Sequence, residues 1–268
     1  MPEGDTIHKI AAFLAPRLEN RTVESLRLAM GGGDRAVGRR IDAVEARGKH
    51  LYIGFDNGLW LRSHLGMHGS WHSYPSTTDW QKPSRRASLV LGTVDAYYVC
   101  FNAKEVELVA RPSVRERVLD SRLGPDLAQP GVDVDALPAR ARAIVAPETL
   151  LMDVLLDQRI AAGIGNVYKC ELLFLGRYSP SLRLGEVSDA ALRGTFALAA
   201  DLLQRNLGGG KRVTRFERDG AGRLWVYGRA GKRCLACDDG VVTYQRLGQH
   251  HRGTYWCPRC QSTDEHTG

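Results

Sequence analysis

The sequence predicts an α+β protein of more than one domain, and three patterns along the chain support this fold class. One amphipathic segment near the N-terminus is followed by short β-branched or alternating runs, which favour an antiparallel β sandwich or barrel. Helical periodicity then replaces the strand pattern in the middle of the chain. The C-terminal part returns to short strands and carries two CxxC pairs, a pattern typical of a small metal-bound domain.

The charge of the chain favours a polyanionic partner. Its 268 residues carry a formal net charge of +7, with an isoelectric point of about 9.2. Between Arg205 and Cys260 there are twelve Lys or Arg against four Asp or Glu, so the basic excess lies near the C-terminus. Because no long amphipathic basic helix occurs there, nucleic acid is preferred to a membrane surface as the partner.

The sequence also bounds the compartment and the assembly. It contains no run of about 18 apolar residues, and its N-terminus lacks the basic and apolar regions of a signal peptide. We therefore expect an intracellular protein, with the cytoplasm as its default location. Nothing in the sequence indicates an oligomer, so a monomer is expected.

The first helix is predicted from an apolar stripe with a 3.6-residue period that runs from Ile7 to Leu18, and Asp5 or Thr6 is its expected N-cap. The predicted strands follow as short runs separated by turns such as Asp56-Asn57-Gly58, and they include residues 49–55, 59–62, 87–94 and 97–101. Residues 123–138 are rich in Gly and Pro and read as a linker.

Three helical segments are predicted after this linker. The first two, at residues 150–160 and from Val167 onward, flank the turn Gly163-Ile164-Gly165-Asn166. The third covers residues 188–206, with Ser188 as its N-cap and Gly208-Gly209-Gly210 as its end.

Four cysteines predict one structural Zn²⁺ site. They form the pairs Cys234-x2-Cys237 and Cys257-x2-Cys260, separated by 19 residues, which is the spacing of two zinc knuckles. Disulfides are the alternative, and an intracellular protein makes them the weaker one. Four protein ligands leave no open coordination position, so the metal is expected to be structural rather than catalytic. Cys100 and Cys170 are expected to be buried, and no organic cofactor is expected.

The first residues could place a nucleophilic amine beside a carboxylate. If Met1 is removed, Pro2 becomes the N-terminus, and an α-amino group has a reference pKa of roughly 7.7 to 8. A helix N-terminus beside that amine would disfavour its protonation further. Attack of a secondary amine on an aldehyde-like carbon gives a cationic iminium, and Glu3 could then move protons. Taken alone, Pro2-Glu3 is better explained as the lead-in to a helix.

Three further positions are candidates for binding anions, and each has an ordinary alternative. Arg252, on the expected hairpin between the two cysteine pairs, could bind a phosphate or be a solvated turn residue. The backbone N–H groups and the Asn166 amide at the glycine turn could bind an anion at a helix N-terminus, or the glycines could serve packing alone. Lys49 is either a surface cation or a phosphate and leaving-group partner, and taken alone it is better explained as a surface cation.

Six spaced motifs change these odds: MPEGD at the start, RGKHL at Arg47, HLGMHG at His64, DQRIAAGIGNVYKCE at Asp157, VYGR at Val226, and RGTYWCPRCQ at Arg252. In this order, over essentially the whole chain, they closely resemble the formamidopyrimidine-DNA glycosylase and endonuclease VIII family of DNA repair enzymes. The resemblance implies an N-terminal helix with a two-layered antiparallel β-sandwich (residues 1–122), a linker (123–138), a helix-two-turn-helix domain (139–223) and a zinc β-hairpin finger (224–268).

The resemblance also implies roles for residues, with damaged DNA in a cleft between the domains. Pro2 would be the Schiff-base nucleophile on C1′ and Glu3 the general acid/base. The residues expected to hold phosphates beside the extruded nucleotide are Lys49, His64, Asn166 and Arg252. Lys49 would also take part in catalysis. Glu171 would lie near the N-terminus in a supporting role, and Met67 would fill the vacated base stack. Phosphates on both sides must be held because C1′ cannot be reached inside a stacked duplex.

Two departures favour the endonuclease VIII branch, which acts on oxidised pyrimidines. The purine-directed branch has an Arg and a Phe in a DPRRFG-like loop, where this chain has Phe101-Asn102-Ala103-Lys104-Glu105. It also has a longer loop before VYGR than residues 211–225 allow. The HLGM motif instead matches the purine branch. The alternatives are therefore an oxidised-purine glycosylase, a lyase acting mainly on abasic sites, and a noncatalytic lesion-binding protein if Met1 is retained. The sequence leaves duplex and single-stranded DNA both open as substrates.

Overall fold

The computed structural model describes residues 2–110 and 123–262, and the chain divides into two compact units, residues 1–122 and 123–268. Within the described residues, the first unit contains one α-helix and eight strands. They are α1 (Gly4–Leu18), β1 (Ser25–Leu28), β2 (Ile41–Arg47), β3 (His50–Phe55), β4 (Leu59–His64), β5 (Ser70–Pro75), β6 (Ala87–Gly92), β7 (Ala96–Phe101) and β8 (Glu105–Ala110).

The eight strands form two antiparallel four-stranded sheets, in the orders β1-β6-β7-β5 and β2-β3-β4-β8. Alternate residues of a strand point to opposite faces, so each sheet gives one apolar face to a shared core. That core contains Leu26, Ile53, Leu61, Leu89 and Cys100, all buried. The prediction of a two-layered antiparallel β-sandwich is confirmed, as is the burial of Cys100, which raises the pKa of its thiol to about 12.

Helix α1 closes this core with the predicted face. Ile7, Leu14 and Leu18 on the helix are at most 1% exposed, which confirms the apolar stripe. The expected N-cap is wrong, because the helix begins at Gly4 and Glu3 is its N-cap. The Glu3 carbonyl accepts from the backbone N–H groups of Thr6 (3.0 Å) and Ile7 (3.2 Å), which starts the helix two or three residues earlier than the side chains of Asp5 and Thr6 indicated.

The second unit contains four α-helices and two strands among its described residues. They are α2 (Leu137–Ile144), α3 (Leu151–Leu156), α4 (Asn166–Leu175), α5 (Asp189–Arg205), β9 (Thr243–Leu247) and β10 (Arg252–Trp256). The helices share one apolar core, to which the segment predicted as a linker contributes Leu127 and Ala128, both fully buried. Helix α5 has its predicted cap, because the Ser188 hydroxyl accepts from the N–H of Ala191 at 3.2 Å.

Strands β9 and β10 form an antiparallel hairpin that packs on helix α4. Cys170 and Phe174 on the helix join Val226, Val242 and the metal-site cysteines in a second, smaller core, and Cys170 is buried as predicted. Burial raises the pKa of the Cys170 thiol to about 11. None of the helices in the described residues is both long and apolar enough to cross a bilayer.

Candidate functional site

Pro2 and Glu3 stand at the N-terminus of α1. Glu3 is fully buried although it carries an ionisable carboxyl group, whereas Pro2 is half-buried. Surface glutamates are the rule, so a completely buried one at a helix N-terminus indicates a specific role. The arrangement places a carboxyl group one residue from the nitrogen that would become the N-terminal amine.

Lys49 and His64 lie at the same end of one sheet in the first unit. Strands β2 and β3 are joined by the two-residue turn Gly48-Lys49, in which Gly48 has a φ of +55°. That conformation costs least for glycine and suits a tight hairpin. The His64 ring stacks on the ring of His50, its partner on β3, with a centroid distance of 4.8 Å and an interplanar angle of 26°.

Met67 projects from the loop that joins β4 to β5. Its side chain is 55% exposed. The loop is compact, because the N–H of Gly69 donates to the carbonyl of Leu65 at 3.0 Å and a Cβ on Gly69 would lie 2.4 Å from that oxygen. Met67 is therefore a protruding apolar side chain on a well-defined turn.

The loop that follows β7 packs beside the loop that carries Met67. The N–H of Lys104 donates to the carbonyl of His64 at 2.9 Å, and a Cβ on Gly66 would meet Cβ of Lys104 at 2.9 Å. Phe101, the aromatic residue just before this loop, is fully buried in a cluster with Tyr74, Val90 and Val99 on the sheet β1-β6-β7-β5. It is therefore unable to project from the loop as an aromatic wedge.

In the second unit, the structure brings Asn166 and Arg252 to one place. Asn166 is the first residue of α4, and its amide Nδ2 donates to the carbonyl of Gly253, the residue after Arg252, at 2.7 Å. Oδ1 of Asn166 is buried and has no hydrogen-bond partner among the described residues. One amide hydrogen of Asn166 is thus committed to holding the hairpin strand, and Arg252 is exposed beside it.

Sequence reasoning missed the two side chains that fix this hairpin. Lys169 is fully buried, and its Nζ donates to the Thr254 hydroxyl at 2.7 Å and lies 3.4 Å from the Gly253 carbonyl. Asp153 of α3 accepts from the N–H of Gln249 in the hairpin turn at 2.9 Å. Lys169 sits within the conspicuous GIGNVYKCE motif, but only the packing of β10 on α4 reveals its partner.

Glu171 binds the segment that carries the VYGR motif. Its fully buried carboxylate accepts from four donors: the Thr214 hydroxyl and the backbone N–H groups of Trp225 (2.7 Å), Val226 (3.0 Å) and Tyr227 (2.8 Å). Four donors account for the lone-pair sites of a carboxylate. Glu171 therefore ties both ends of the loop between residues 214 and 225, and its supporting role stays a prediction.

The four predicted zinc ligands converge. Their Sγ atoms all lie within 4.8 Å of one another, with 3.8 Å between Cys234 and Cys260 and 3.7 Å between Cys237 and Cys257. Tetrahedral zinc with Zn–S bonds of about 2.3 Å requires sulfur separations of about 3.8 Å. A Cβ on Gly240 would lie 2.5 Å from the sulfur of Cys257, so glycine leaves room for the sulfurs. The donor set and spacing fit one structural Zn²⁺.

Chelation is expected to loosen the hairpin that carries Arg252. A thiol-compatible zinc chelator should lower the melting temperature and weaken DNA binding, because the small second core contains the same cysteines. Differential scanning calorimetry and a binding titration, each repeated after zinc is restored, measure the two effects. Protein treated with the same chelator already saturated with zinc is the matched control. Full stability and binding after complete zinc removal would contradict a structural role.

Two parts of the chain match families of known proteins. The family description "Formamidopyrimidine-DNA glycosylase N-terminal domain" matches residues 1–105, and "Zinc finger found in FPG and IleRS" matches residues 242–263. Together with the four-cysteine cluster, the second match confirms the prediction of structural zinc.

Relatives match the chain over nearly its full length. The Streptomyces coelicolor "Probable endonuclease 8 2" is 38% identical, over 98% of this chain and 94% of that protein. The Mycolicibacterium smegmatis "DNA-(apurinic or apyrimidinic site) lyase Nei2" is 35% identical, over 98% and 99%. The Erythrobacter litoralis "Formamidopyrimidine-DNA glycosylase" is 30% identical, over 97% and 98%.

Solved structures confirm the fold. The Lactococcus lactis formamidopyrimidine-DNA glycosylase bound to DNA containing an AP site superposes with a TM-score of 0.79 at 21% identity, covering 97% of this chain and all of that one. A second complex of the same protein, with DNA and an inhibitor, gives a TM-score of 0.81. At this identity the likeness establishes the fold alone.

Proposed function

The chain belongs to the formamidopyrimidine-DNA glycosylase and endonuclease VIII family, and from that premise we propose that it is a base-excision-repair DNA glycosylase with AP lyase activity. The observation that carries the chemistry is the fully buried Glu3 next to Pro2 at the mouth of α1. A helix N-terminus favours negative charge and disfavours protonation of a neighbouring amine. Both effects suit a neutral amine nucleophile with a carboxyl group beside it.

In this proposal Pro2 acts only after Met1 is removed. The amine nitrogen forms a bond to C1′ of the damaged nucleotide while the base leaves with the electrons of the glycosidic bond. Glu3 takes the N–H proton of the attacking amine and transfers it to the sugar oxygen as the ring opens, which leaves a C1′ iminium on the proline nitrogen, while the departing base takes a proton from water. The iminium acidifies the C2′ protons, so the 3′ phosphate and then the 5′ phosphate leave by β,δ-elimination, and water finally releases the enzyme.

Residues of both units would hold the substrate. Lys49 and His64 of the first unit and Asn166 and Arg252 of the second are proposed to contact phosphates, which positions the DNA without reading its sequence. Met67 would fill the gap left by the extruded nucleotide, which its exposure on a compact loop supports. The zinc has no part in the chemistry, because four cysteines occupy its coordination positions.

We assign oxidised pyrimidines as the preferred lesions. The burial of Phe101 supports this, because an intercalating aromatic residue is then lacking where the purine-directed branch has one. The loop at residues 211–225 is also short, and Glu171 ties Thr214 to Trp225 within it. Relatives named endonuclease 8 agree with this choice of branch. We further propose that the protein works as a monomer in the bacterial cytoplasm, at the nucleoid.

Borohydride trapping over a panel of lesions tests nucleophile and substrate together. The protein is mixed with DNA carrying thymine glycol, 5-hydroxyuracil, 8-oxoguanine opposite cytosine, or an abasic site, in duplex and single-stranded form. We expect a covalent adduct and faster single-turnover excision of the two pyrimidines. Failure to trap on every substrate would overturn the covalent mechanism.

Two alternative outcomes correspond to other functions. A strong preference for 8-oxoguanine would make the protein an oxidised-purine glycosylase, and activity confined to abasic DNA would make it a lyase. Binding of lesions without any adduct by a preparation that retains Met1 would identify a noncatalytic lesion-binding protein. Intact-mass measurement distinguishes that last case.

A further inference from the structure

The outer face of the sheet β2-β3-β4-β8 carries an unusual group of charged and aromatic side chains. In the sheet register, His50 pairs with His64 and His64 pairs with Glu105, while Arg62 pairs with Tyr52 and Glu107. Residues two apart on a strand share a face, so these side chains form two adjacent rows. The row that contains His64 lies at the strand ends, and the row that contains Arg62 lies behind it.

Arg62 is buried and joins the two rows. It is only 5% exposed, its Nη1 lies 3.0 Å from Nδ1 of His50, and its Nη2 donates to Oε2 of Glu105 (3.2 Å) and of Glu107 (2.9 Å). Two carboxylates balance the buried charge, as burial of a guanidinium requires. A side chain held at three points moves little, so it can orient what it contacts.

The contact with Arg62 determines the tautomer of His50. A guanidinium donates hydrogen bonds and accepts none, so Nδ1 of His50 must be the acceptor and the proton of the neutral ring lies on Nε2. Burial, with help from His64 and Arg62, lowers the pKa of His50 to about 3. His50 is therefore a neutral ring whose plane is fixed by Arg62.

The His64 ring is held against His50 and is neutral for related reasons. Burial lowers its pKa, and Lys104, Lys49 and Arg62 lower it further, while Glu105 opposes them. Nδ1 of His64 is buried and has no hydrogen-bond partner among the described residues. Buried N–H groups without a partner are rare in folded proteins, so we assign the proton of the neutral ring to Nε2.

We propose that Arg62 and His50 are positioning residues that fix the plane and tautomer of His64, so that its Nε2–H group is presented as a hydrogen-bond donor to a DNA phosphate. This inference rests on the proposed phosphate contact of His64. It assigns to the buried Arg62 network a function that the reaction itself does not require. Glu105 and Glu107 keep Arg62 in place, and the stacked His50 ring transmits its position to His64.

An uncharged donor has a distinctive signature in DNA binding. The slope of log K against log salt falls by about 0.9 for each cation that stops neutralising a phosphate. Arg252→Ala should therefore reduce the slope by about that amount. His64→Leu should instead weaken binding roughly tenfold or more, as expected for a hydrogen bond to a charged group, and leave the slope unchanged.

A double-mutant cycle between Arg62→Met and His64→Leu tests the positioning role. The measured quantity is the Kd for DNA that contains a tetrahydrofuran abasic analogue, which has no leaving group at C1′ and so forms no adduct with the amine. If Arg62 acts through His64, each single variant loses roughly tenfold in affinity, and the double variant binds no more weakly than the single variant with the larger loss. Multiplied losses in the double variant would overturn the proposal, because Arg62 would then act independently of His64.

The pH dependence provides a readout that a merely structural role would not change. Arg62→Met removes the cation that opposes protonation of His50 and His64. Glu105 and Glu107 still face the two imidazole rings, so these rings should be protonated more easily in the variant. Lys49 and Lys104 remain as opposing charges. The ratio of the Kd at pH 7.5 to the Kd at pH 6.0 should therefore be larger for this variant than for the wild type. The salt slope of the variant should also be steeper at pH 6.0 than at pH 7.5. Wild-type-like pH dependence would contradict the proposed coupling.

Two further variants guard against simple misfolding. His50→Phe keeps a stacked ring but removes the acceptor for Arg62, and it should show the same non-additivity with His64→Leu. Arg40→Met is the matched control, because Arg40 also pairs with a carboxylate, Asp42 at 3.1 Å, but lies before the opposite end of β2 and is half-exposed. Unfolding curves of all variants establish that each is folded at the assay temperature.

The outcome is separable from that of the proposed function. Borohydride trapping of the wild type on abasic DNA reports on the amine nucleophile and not on the orientation of His64. Absence of trapping would remove the proposed function, whereas normal trapping with an additive cycle would remove only the role of Arg62 and His50.

Discussion

Protein whose N-terminus is blocked is expected to form no borohydride-stable adduct with abasic DNA, whereas the same protein with Pro2 exposed forms it readily. An amide nitrogen has no lone pair available for attack on C1′, so both Met1 and any tag abolish the nucleophile. Turnover should fall by at least roughly 10⁴-fold, the scale on which removal of a catalytic nucleophile acts. This is the largest effect that we predict for this chain.

The measurement uses one preparation in two states. The protein is made with an N-terminal tag whose protease leaves Pro2 first, and it is assayed before and after cleavage, with intact mass recorded each time. Binding to the tetrahydrofuran-containing DNA is the control, since phosphate contacts do not need the amine. Equal trapping by the uncleaved protein would mean that another amine is the nucleophile, and a lysine would then have to be sought.

Glu3→Gln is expected to lower base excision by roughly 10² to 10⁴-fold, the usual contribution of a general acid or base. Glutamine preserves the size of this fully buried side chain but has no proton to exchange with the sugar. Trapping on a preformed abasic site should fall much less, because its sugar opens to an aldehyde without assistance. Single-turnover excision of thymine glycol and trapping on abasic DNA are compared in parallel.

Glu24→Gln is the matched control, because Glu24 is exposed. This variant should leave both rates unchanged. Equal losses of excision and trapping in Glu3→Gln would assign the residue to amine positioning rather than to proton transfer. Unchanged excision would exclude Glu3 from the reaction.

Local patterns predicted most of the fold correctly. The strands expected at residues 49–55, 59–62, 87–94 and 97–101 correspond to β3, β4, β6 and β7 with shifts of one or two residues at their ends. The segment expected to be helical at residues 150–160 was too long, because α3 ends at Leu156. There the Gln158 amide donates to the carbonyls of Leu156 and Ile164, and Ile160 enters the core outside any helix.

The sequence by itself determined the features that depend on spacing along the chain. Two CxxC pairs define a tetrahedral sulfur site, a 3.6-residue apolar stripe defines the buried face of α1, and ordered motifs define the family. Pro2 and Glu3 need only be first and second after Met1. Each of these properties depends on residue spacing or on the order of motifs along the chain, so no tertiary contact is needed to recognise it.

Only the tertiary structure decided which distant side chains share a contact. Lys169 reaches Thr254, Glu171 gathers the N–H groups of residues 225–227, and Arg62 reaches His50 and Glu107 across strands. These pairs lie up to 85 positions apart, and no local pattern encodes them. A buried charge is stabilised only by the partners that folding brings to it, so the burial of these polar residues became meaningful only once their partners were known.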